Sequence, residues 1–179
     1  MIELTDNEKY LIRRGSEDLK KNNLKNFYQR LVNNTNDYKE VGHITQFFME
    51  QGIDVMGQFT AIPNCMFFGA DIESIEIPDN ITRIGKHAFE ECKKLKDVRL
   101  SDTLKAIDQA AFRDCSELRR VFLPDSVTVI GAEAFKGCDK VAIFANKRTA
   151  ANRLRCKQNE IEWYRDHLFV NEEASEGGE

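Results

Sequence analysis

The sequence predicts an α/β-type solenoid, a short right-handed coil with parallel strands, preceded by a small helical N-terminal region. Two observations predict this fold class. A 23-residue unit repeats through the middle of the chain, whereas the first 56 residues show the apolar spacing of helices. Because one such unit cannot bury its own apolar face, successive units are expected to stack and share a continuous core.

The repeat is defined by apolar residues that return in the same columns of consecutive units. The first two columns hold Ile72, Leu95, Leu118 and Val141, then Ile75, Val98, Val121 and Phe144. The unit closes with Phe89, Phe112 and Phe135, each followed by a cysteine at Cys92, Cys115 and Cys138. A degenerate unit lies upstream when Ile62 is aligned with Ile84, which makes that unit one residue shorter.

Each part of the unit predicts a local structure. Apolar residues alternate with polar ones at its start, which predicts a strand with one buried face. Pro78 and Pro124 end this strand because proline has no N–H to donate to a ladder. Gly85 and Gly131 predict a turn with positive φ, a conformation that Asp108 tolerates in the equivalent position. The closing Ala-Phe segment predicts a short helical turn that places phenylalanine in the core.

This pattern resembles the BspA-type leucine-rich repeat. The stretch from Ile72 to Cys92 follows that family's order of apolar residues, proline, glycine, Ala-Phe and cysteine almost letter for letter. The resemblance covers residues near 60 to 146 and implies a leucine-rich-repeat coil that serves as a binding scaffold. Members of the family are often surface or adhesion proteins.

The chain is predicted to have four parts. Residues 1–56 form a helical N-terminal region or cap, and residues 57–146 form about four coils of solenoid, the first of them degenerate. Residues 147–170 form a C-terminal cap with a basic helix over 147–157 and an edge strand over 161–164. Residues 171–179 carry four glutamates and are expected to be a disordered acidic tail.

Helix signals are clear in the N-terminal region. Thr5 begins a capping-box pattern, and Gly15 is expected to end that helix before Ser16 starts the next. Another helix is predicted from Tyr38 to Gln51. An amphipathic stripe between them consists of Leu24, Phe27, Tyr28 and Leu31. We interpret the region as a cap on the open end of the solenoid; the alternative is that its exposed helix faces bind a partner.

Composition and motifs argue against several classes of protein. The chain has 179 residues and a net charge of −4, which disfavours general binding to nucleic acid. It has no stretch of 18 apolar residues, so we expect no membrane span, and its first residues lack the features of a secretory signal. It has no phosphate-loop, dinucleotide, zinc-protease or serine-hydrolase motif. We therefore expect a cytoplasmic protein that is not an enzyme and has no cofactor.

The five cysteines are interpreted as buried, reduced thiols that act as small hydrophobes. An odd number fits a reducing compartment. Because neighbouring strands lie about 4.8 Å apart, disulfides between repeated cysteines stay an alternative. A zinc site is not expected, because the sequence has no C-x-x-C pair and its histidines lack ligand spacing.

The candidate binding surface is the outward face of the strands. Its residues grade from acidic, through mixed and basic, to apolar along the coils, and an exposed aromatic among arginines is typical of binding hot spots. The predicted partner-binding residues are Glu76, Lys96, Arg99, Arg119, Arg120, Phe122 and Ile143. The alternative is an ordinary salt-bridged surface on which the C-terminal segment covers the aromatic ring.

The leading hypothesis is a non-enzymatic protein–protein interaction module, an intracellular inhibitor or adaptor that uses this face, the N-terminal helices or both. A virus-encoded antagonist of a bacterial defence complex is one concrete version. A surface adhesin-like repeat protein and a homodimer through Phe122 are alternatives. Nucleic-acid binding through the basic C-terminal helix is another, with anionic contacts predicted at Lys147, Arg148, Arg153, Arg155 and Lys157.

Overall fold

The computed structural model describes residues 2–146 and 168–171 of the chain. Helices come first and a solenoid of parallel strands follows, which confirms the predicted fold class. The helices are α1 (Asp6–Arg14), α2 (Ser16–Lys20), α3 (Leu24–Asn34) and α4 (Tyr38–Glu50).

The helix ends follow the capping signals in the sequence. The Thr5 side chain accepts a hydrogen bond from the Glu8 N–H, and the Glu8 carboxylate accepts one from the Thr5 N–H, which completes the predicted capping box. Gly15 separates α1 from α2 as predicted. Asp37 caps α4 by accepting a hydrogen bond from the Lys39 N–H at 2.9 Å.

The solenoid has two parallel sheets on different sides of its coils. The five-stranded sheet contains β2 (Ser74–Glu76), β4 (Asp97–Arg99), β6 (Arg120–Phe122), β8 (Ala142–Asn146) and β9 (Leu168–Asn171). The four-stranded sheet contains β1 (Ala61–Ile62), β3 (Arg83–Ile84), β5 (Ala106–Ile107) and β7 (Val129–Ile130). Ile62 pairs with Ile84, which confirms the alignment of the shorter first coil.

The third side of each coil is a turn that carries the core phenylalanine. Four of these rings form a continuous stack with centroids 4.8 to 5.3 Å apart, contributed by Phe67, Phe89, Phe112 and Phe135. The segment is a series of hydrogen-bonded turns and not the predicted short helical turn. Its backbone donors alternate: the Phe89 N–H donates to the Ala111 carbonyl of the next coil at 2.7 Å, whereas the Ala88 and Glu90 N–H groups donate within the segment. Stacking of the coils therefore satisfies every second donor.

The cysteines lie beside this aromatic stack. The Cys92 thiol donates to the Phe67 carbonyl of the preceding coil at 3.0 Å, and the same contact recurs at Cys115 and Cys138. Together with Cys65 these cysteines are buried free thiols, as predicted. The fifth, at position 156, lies outside the described residues.

The predicted role of Gly85 and Gly131 is wrong. Neither has a positive φ; a Cβ at Gly85 would lie 2.6 Å from the Ile62 carbonyl oxygen, and one at Gly131 would lie 2.3 Å from the Gln109 nitrogen. Close approach between coils therefore requires these glycines. The positive φ angles fall two residues later, between 53° and 58°, at His87, Ala110 and Glu133.

The N-terminal helices pack directly on the first coil. The Thr45 hydroxyl of α4 lies 2.7 Å from the Met66 carbonyl oxygen, and the Gln46 side chain makes two hydrogen bonds with the backbone of Asp71. At Gly42 the approach is so close that a Cβ would lie 2.1 Å from the Phe68 carbonyl oxygen. We therefore propose that α1–α4 cap the solenoid, and the four-part division of the chain stays a prediction.

The final coil departs from the strict repeat. The buried residues Leu118 and Val121 are three positions apart, but Val141 and Ile143 are only two positions apart. Ala142 consequently pairs with Arg120 at a separation of 22 residues, whereas Asp97 pairs with Ser74, and Arg120 with Asp97, at a separation of 23. The register of β8 is therefore one residue shorter than that of the earlier strands.

Little of the predicted C-terminal region lies within the described residues. The basic helix over 147–157 and the strand over 161–164 lie outside the described residues. β9 pairs with β8 in parallel and is the last strand described. Asn171, assigned from the sequence to the disordered tail, lies in this strand. Among residues 2–146 and 168–171, no helix has the length and hydropathy needed to span a membrane.

Candidate protein-binding surface

Side chains on the outward side of the five-stranded sheet form the candidate surface. In β2, β4 and β6 the residues alternate exposed, buried and exposed, so every second side chain of these strands points to solvent. We call this surface the outer face. Its members are Glu73, Ser74, Glu76, Lys96, Asp97, Arg99, Arg119, Arg120, Phe122, Ala142 and Phe144.

Oppositely charged side chains of the first two coils form ion pairs across the outer face. Lys96 pairs with Glu73 at 2.8 Å, and Arg99 pairs with Glu76 at 3.2 Å. The hydrogen bond and charge of Lys96 lower the pKa of the Glu73 carboxyl. The predicted residues Glu76, Lys96 and Arg99 thus lie on one surface, but their charges are already partnered, and such exposed pairs are weak.

On the outer face, the charged side chains of the third coil are both positive. Arg119 and Arg120 are both exposed, and neither forms an ion pair with any residue in the described part of the chain. Asp97 is the register partner of Arg120 on β4 but makes no ion pair with it. On the other side stands Ala142, which supplies no carboxylate. The two arginines are therefore available to an anionic partner.

A pair of stacked aromatic rings, Phe122 and Phe144, lies beside these arginines, and we call this pair the aromatic step. Phe122 is 57% exposed although it is a large hydrophobic residue. Its ring stacks on that of Phe144, with centroids 4.9 Å apart and an angle of 17° between the rings. Arginine beside an exposed aromatic is the side-chain chemistry enriched at binding hot spots.

The predicted exposure of Ile143 is wrong. Ile143 is fully buried, as is Ala145, and Phe144 takes the outward position between them. The strict 23-residue spacing pointed Phe144 inward, and sequence reasoning therefore missed it as a surface residue. The signal that identifies it is the alternation of apolar residues from Val141 onward, which has the period of a strand.

A polar cleft of about 560 Å³ lies between the N-terminal helices and the first coil. Its charged groups are engaged with one another: His43 contacts Glu8 at 2.6 Å, and Lys94 pairs with Asp71 at 2.7 Å. Among the described residues, no group of three or more histidine, cysteine, aspartate and glutamate side chains is placed to hold a metal ion. Lys39 of α4, which lines the cleft, pairs with Glu91 of the solenoid at 3.0 Å and so links the helices to the coils. The candidate anionic contacts over 147–157 lie outside the described residues.

Comparison with known proteins identifies the family of the repeats. A sequence model of the BspA type leucine rich repeat region matches residues 44–151 in six copies. No curated protein matches the chain.

Three solved structures of bacterial leucine-rich repeat proteins are similar to part of the chain. A leucine-rich repeat protein from Bacteroides capillosus is 30% identical with a TM-score of 0.41, over 47% of this chain and 62% of that one. One from Bacteroides ovatus is 33% identical with a TM-score of 0.43, over 49% and 25%. A leucine rich cell surface protein from Faecalibacterium prausnitzii is 31% identical with a TM-score of 0.40, over 41% and 20%. The chain thus spans less than two thirds of the length of each.

Proposed function

Because the chain belongs to the BspA-type leucine-rich repeat family, we propose that it is a non-enzymatic module that binds a protein partner through its outer face. The family fold is a scaffold suited to protein–protein interaction or adhesion. The observation that carries the proposal is the third coil, where Arg119 and Arg120 adjoin the exposed, stacked ring of Phe122.

The chemistry of the cysteines supports a role without catalysis. Burial raises the pKa of the Cys92 thiol to about 12, so it is protonated at neutral pH and is a poor nucleophile. The neighbouring His87 is held by Glu90 through its Nδ1 atom. We therefore assign these side chains a structural role in the coil and no part in a reaction.

We propose that the protein acts as an inhibitor or adaptor, by occupying a surface of its partner. The buried free thiols fit a reducing compartment, and we place this action in the cytoplasm. One concrete version, based on small size and repeat build alone, is a virus-encoded antagonist of a bacterial defence complex.

A pair of pull-downs from lysate of the native host tests the proposal. The first bait is the wild-type chain, and the second carries Arg99→Glu, Arg120→Glu and Phe122→Ala. A matched control bait carries Lys86→Glu, Lys105→Glu and Val129→Ala, which make the same kinds of change at exposed positions away from the outer face. Circular dichroism and urea unfolding establish that all baits are folded.

The expected result is a protein captured by the wild-type and control baits and lost from the outer-face variant. Capture of the same protein by all three baits would show that the outer face is not the site. In that case the exposed surfaces of α1–α4 become the next target. Capture of nucleic acid alone, released by salt, would instead favour the basic C-terminal segment.

A further inference from the structure

We infer that the partner presents a short, extended acidic segment with a large apolar side chain. Its carboxylates pair with Arg119 and Arg120, and its apolar side chain packs on the Phe122–Phe144 step. This inference rests on the proposed function and specifies the chemistry of the partner at the same surface.

The acidic character of the segment follows from a gap in the ion-pair pattern. Acids and bases in successive coils pair at a 23-residue spacing, as in Glu73 with Lys96, Glu76 with Arg99 and Glu117 with Lys140. In the next coil Ala142 is the register partner of Arg120, and among the described residues neither Arg120 nor Arg119 forms an ion pair. A carboxylate from outside the chain would take the position that an acid takes elsewhere in the pattern.

The extended form follows from the spacing along β6. Arg120 and Phe122 point outward from the same strand with one buried residue between them, so their side chains leave the backbone about 7 Å apart. An extended segment repeats that spacing between alternate side chains of its own. It can therefore place a carboxylate at Arg120 and an apolar group at Phe122 together.

The apolar group follows from the aromatic step. Phe122 and Phe144 present stacked rings, and the neighbouring Ala142 has a short side chain. Covering the exposed ring of Phe122 removes apolar surface from water. Since the ring already stacks on Phe144, little freedom is lost on binding.

The surrounding charges favour a short acidic segment over a long polyanion. Asp97 lies on the same face and forms no ion pair among the described residues, and exposed Asp79 and Asp102 follow the ends of β2 and β4. These carboxylates repel a continuous phosphate backbone. A protein segment with two acids matched to the two arginines avoids that repulsion.

Peptide titration of the ¹⁵N-labelled full chain, followed by amide NMR spectra, tests the inference. The probe is a nine-residue glycine–serine peptide with two adjacent glutamates and a phenylalanine two residues after the second. Control peptides carry lysines for the glutamates or serine for the phenylalanine. The protein variants are Arg120→Glu and Phe122→Ala, with Lys105→Glu and Val129→Ala as matched controls on the four-stranded sheet.

The glutamate–phenylalanine peptide is expected to shift the amide signals of residues 119–122 and 142–144. Each outer-face variant is expected to weaken this binding about fivefold, and the control variants are expected to leave it unchanged. Raising the salt concentration is expected to weaken binding of the glutamate peptide, because exposed charges are screened.

Several results would overturn the inference. Equal binding of the glutamate and lysine peptides, or shifts confined to other surfaces, would remove its basis. A thymidine oligonucleotide that moves the same signals more strongly would assign the surface to nucleic acid. Signals that move with protein concentration would assign it to a second copy, and signals that move on removal of residues 172–179 would assign it to the chain's own tail.

The titration and the pull-down fail in distinguishable ways. If the outer-face variant loses its captured protein but no acidic peptide binds, the proposed function stands and the inferred partner chemistry is wrong. If the variant still captures the protein, the proposed function fails, whatever the peptides do.

Discussion

Phe122 and Phe144 stack on the outer face with ring centroids 4.9 Å apart, although the register that pairs them is one residue shorter than the 23-residue repeat. The shortened spacing turns Phe144 outward and Ile143 into the core. It also makes Ala142 the register partner of Arg120. One irregularity in the last coil therefore produces the aromatic step, which lies beside the two arginines of the third coil.

The stacked core rings and the stacked surface rings should differ sharply in their effect on stability. Phe112 is fully buried between Phe89 and Phe135, so we expect Phe112→Ala to lower the free energy of unfolding by about 3–5 kcal/mol. Phe122→Ala removes an exposed ring and should change it by less than about 1 kcal/mol. Urea unfolding followed by circular dichroism compares the two, and equal losses would contradict the assigned core.

The buried thiols should make the protein less stable in alkali. Burial raises the pKa of Cys92 to about 12, whereas in the unfolded chain this thiol ionises near pH 8.5. The stabilisation is complete below about pH 8.5 and is lost as pH rises towards 12, because only the unfolded chain releases the proton. Between pH 7.5 and pH 10, wild type should lose about 2 kcal/mol more unfolding free energy than Cys92→Ala.

Urea unfolding of both proteins at the two pH values measures this difference. Because the cavity left by Cys92→Ala is the same at each pH, the comparison isolates the titration of the thiol. Parallel losses in the two proteins would mean that the thiol is not buried in the way described.

Close packing of α4 on the first coil should make Gly42 intolerant of a side chain. In a free helix, alanine is favoured over glycine by about 1 kcal/mol. Here a Cβ would lie 2.1 Å from the Phe68 carbonyl oxygen, so Gly42→Ala should destabilise by about 1–3 kcal/mol. Gly52→Ala, which meets no atom within 4 Å and costs only local backbone strain, is the control in the same unfolding assay. A more stable Gly42→Ala protein would contradict the packing of the cap.

Supplying the missing acid inside the chain should block the candidate surface. Ala142→Asp places a carboxylate opposite Arg120, where it adds an ion pair like those of the earlier coils. We expect this variant to keep its fold and to bind the glutamate–phenylalanine peptide at least about fivefold more weakly. Ala142→Asn has nearly the same shape without the charge and should bind more tightly than Ala142→Asp. Equal binding of the two variants would show that the arginines do not recognise charge.

Most of the solenoid follows from periodicity in the sequence. The columns headed by Ile72 and Ile75 repeat often enough to fix which residues are buried, and the shorter first coil is visible from Ile62 and Ile84. The capping box at Thr5 likewise specifies where α1 begins. These features are local or repeated, so several residues in the sequence indicate each of them.

The features that escaped prediction depend on contacts between coils. Gly85 was assigned a positive φ because glycine usually marks one, but its conformation is ordinary and the neighbouring backbone excludes a Cβ. At the last coil two periods compete, the 23-residue repeat and the two-residue alternation of a strand. Burial of Ile143 follows the second, because a strand buries alternate residues whatever the distance to the previous coil.

The ion pairs also could not be predicted from the columns of the repeat taken one at a time. Lys96 with Glu73 and Arg99 with Glu76 could be located as neighbours from the repeat, but their mutual pairing leaves the two arginines of the third coil as the excess charge. Only the distances between charged atoms separate the paired side chains from the two unpaired arginines. This distinction changes the candidate surface from a graded face into one compact patch, formed by Arg119, Arg120 and Phe122.

The dissociation constant of the captured partner tests the central claim most directly, measured by calorimetry for wild type, Phe122→Ala and Val129→Ala. Both variants truncate an exposed apolar side chain, one on the outer face and one on the four-stranded sheet. If the outer face is the binding site, Phe122→Ala weakens binding at least about tenfold and Val129→Ala leaves it unchanged. Equal affinities for wild type and Phe122→Ala, or a larger loss from Val129→Ala, would contradict the outer face as the site of partner binding.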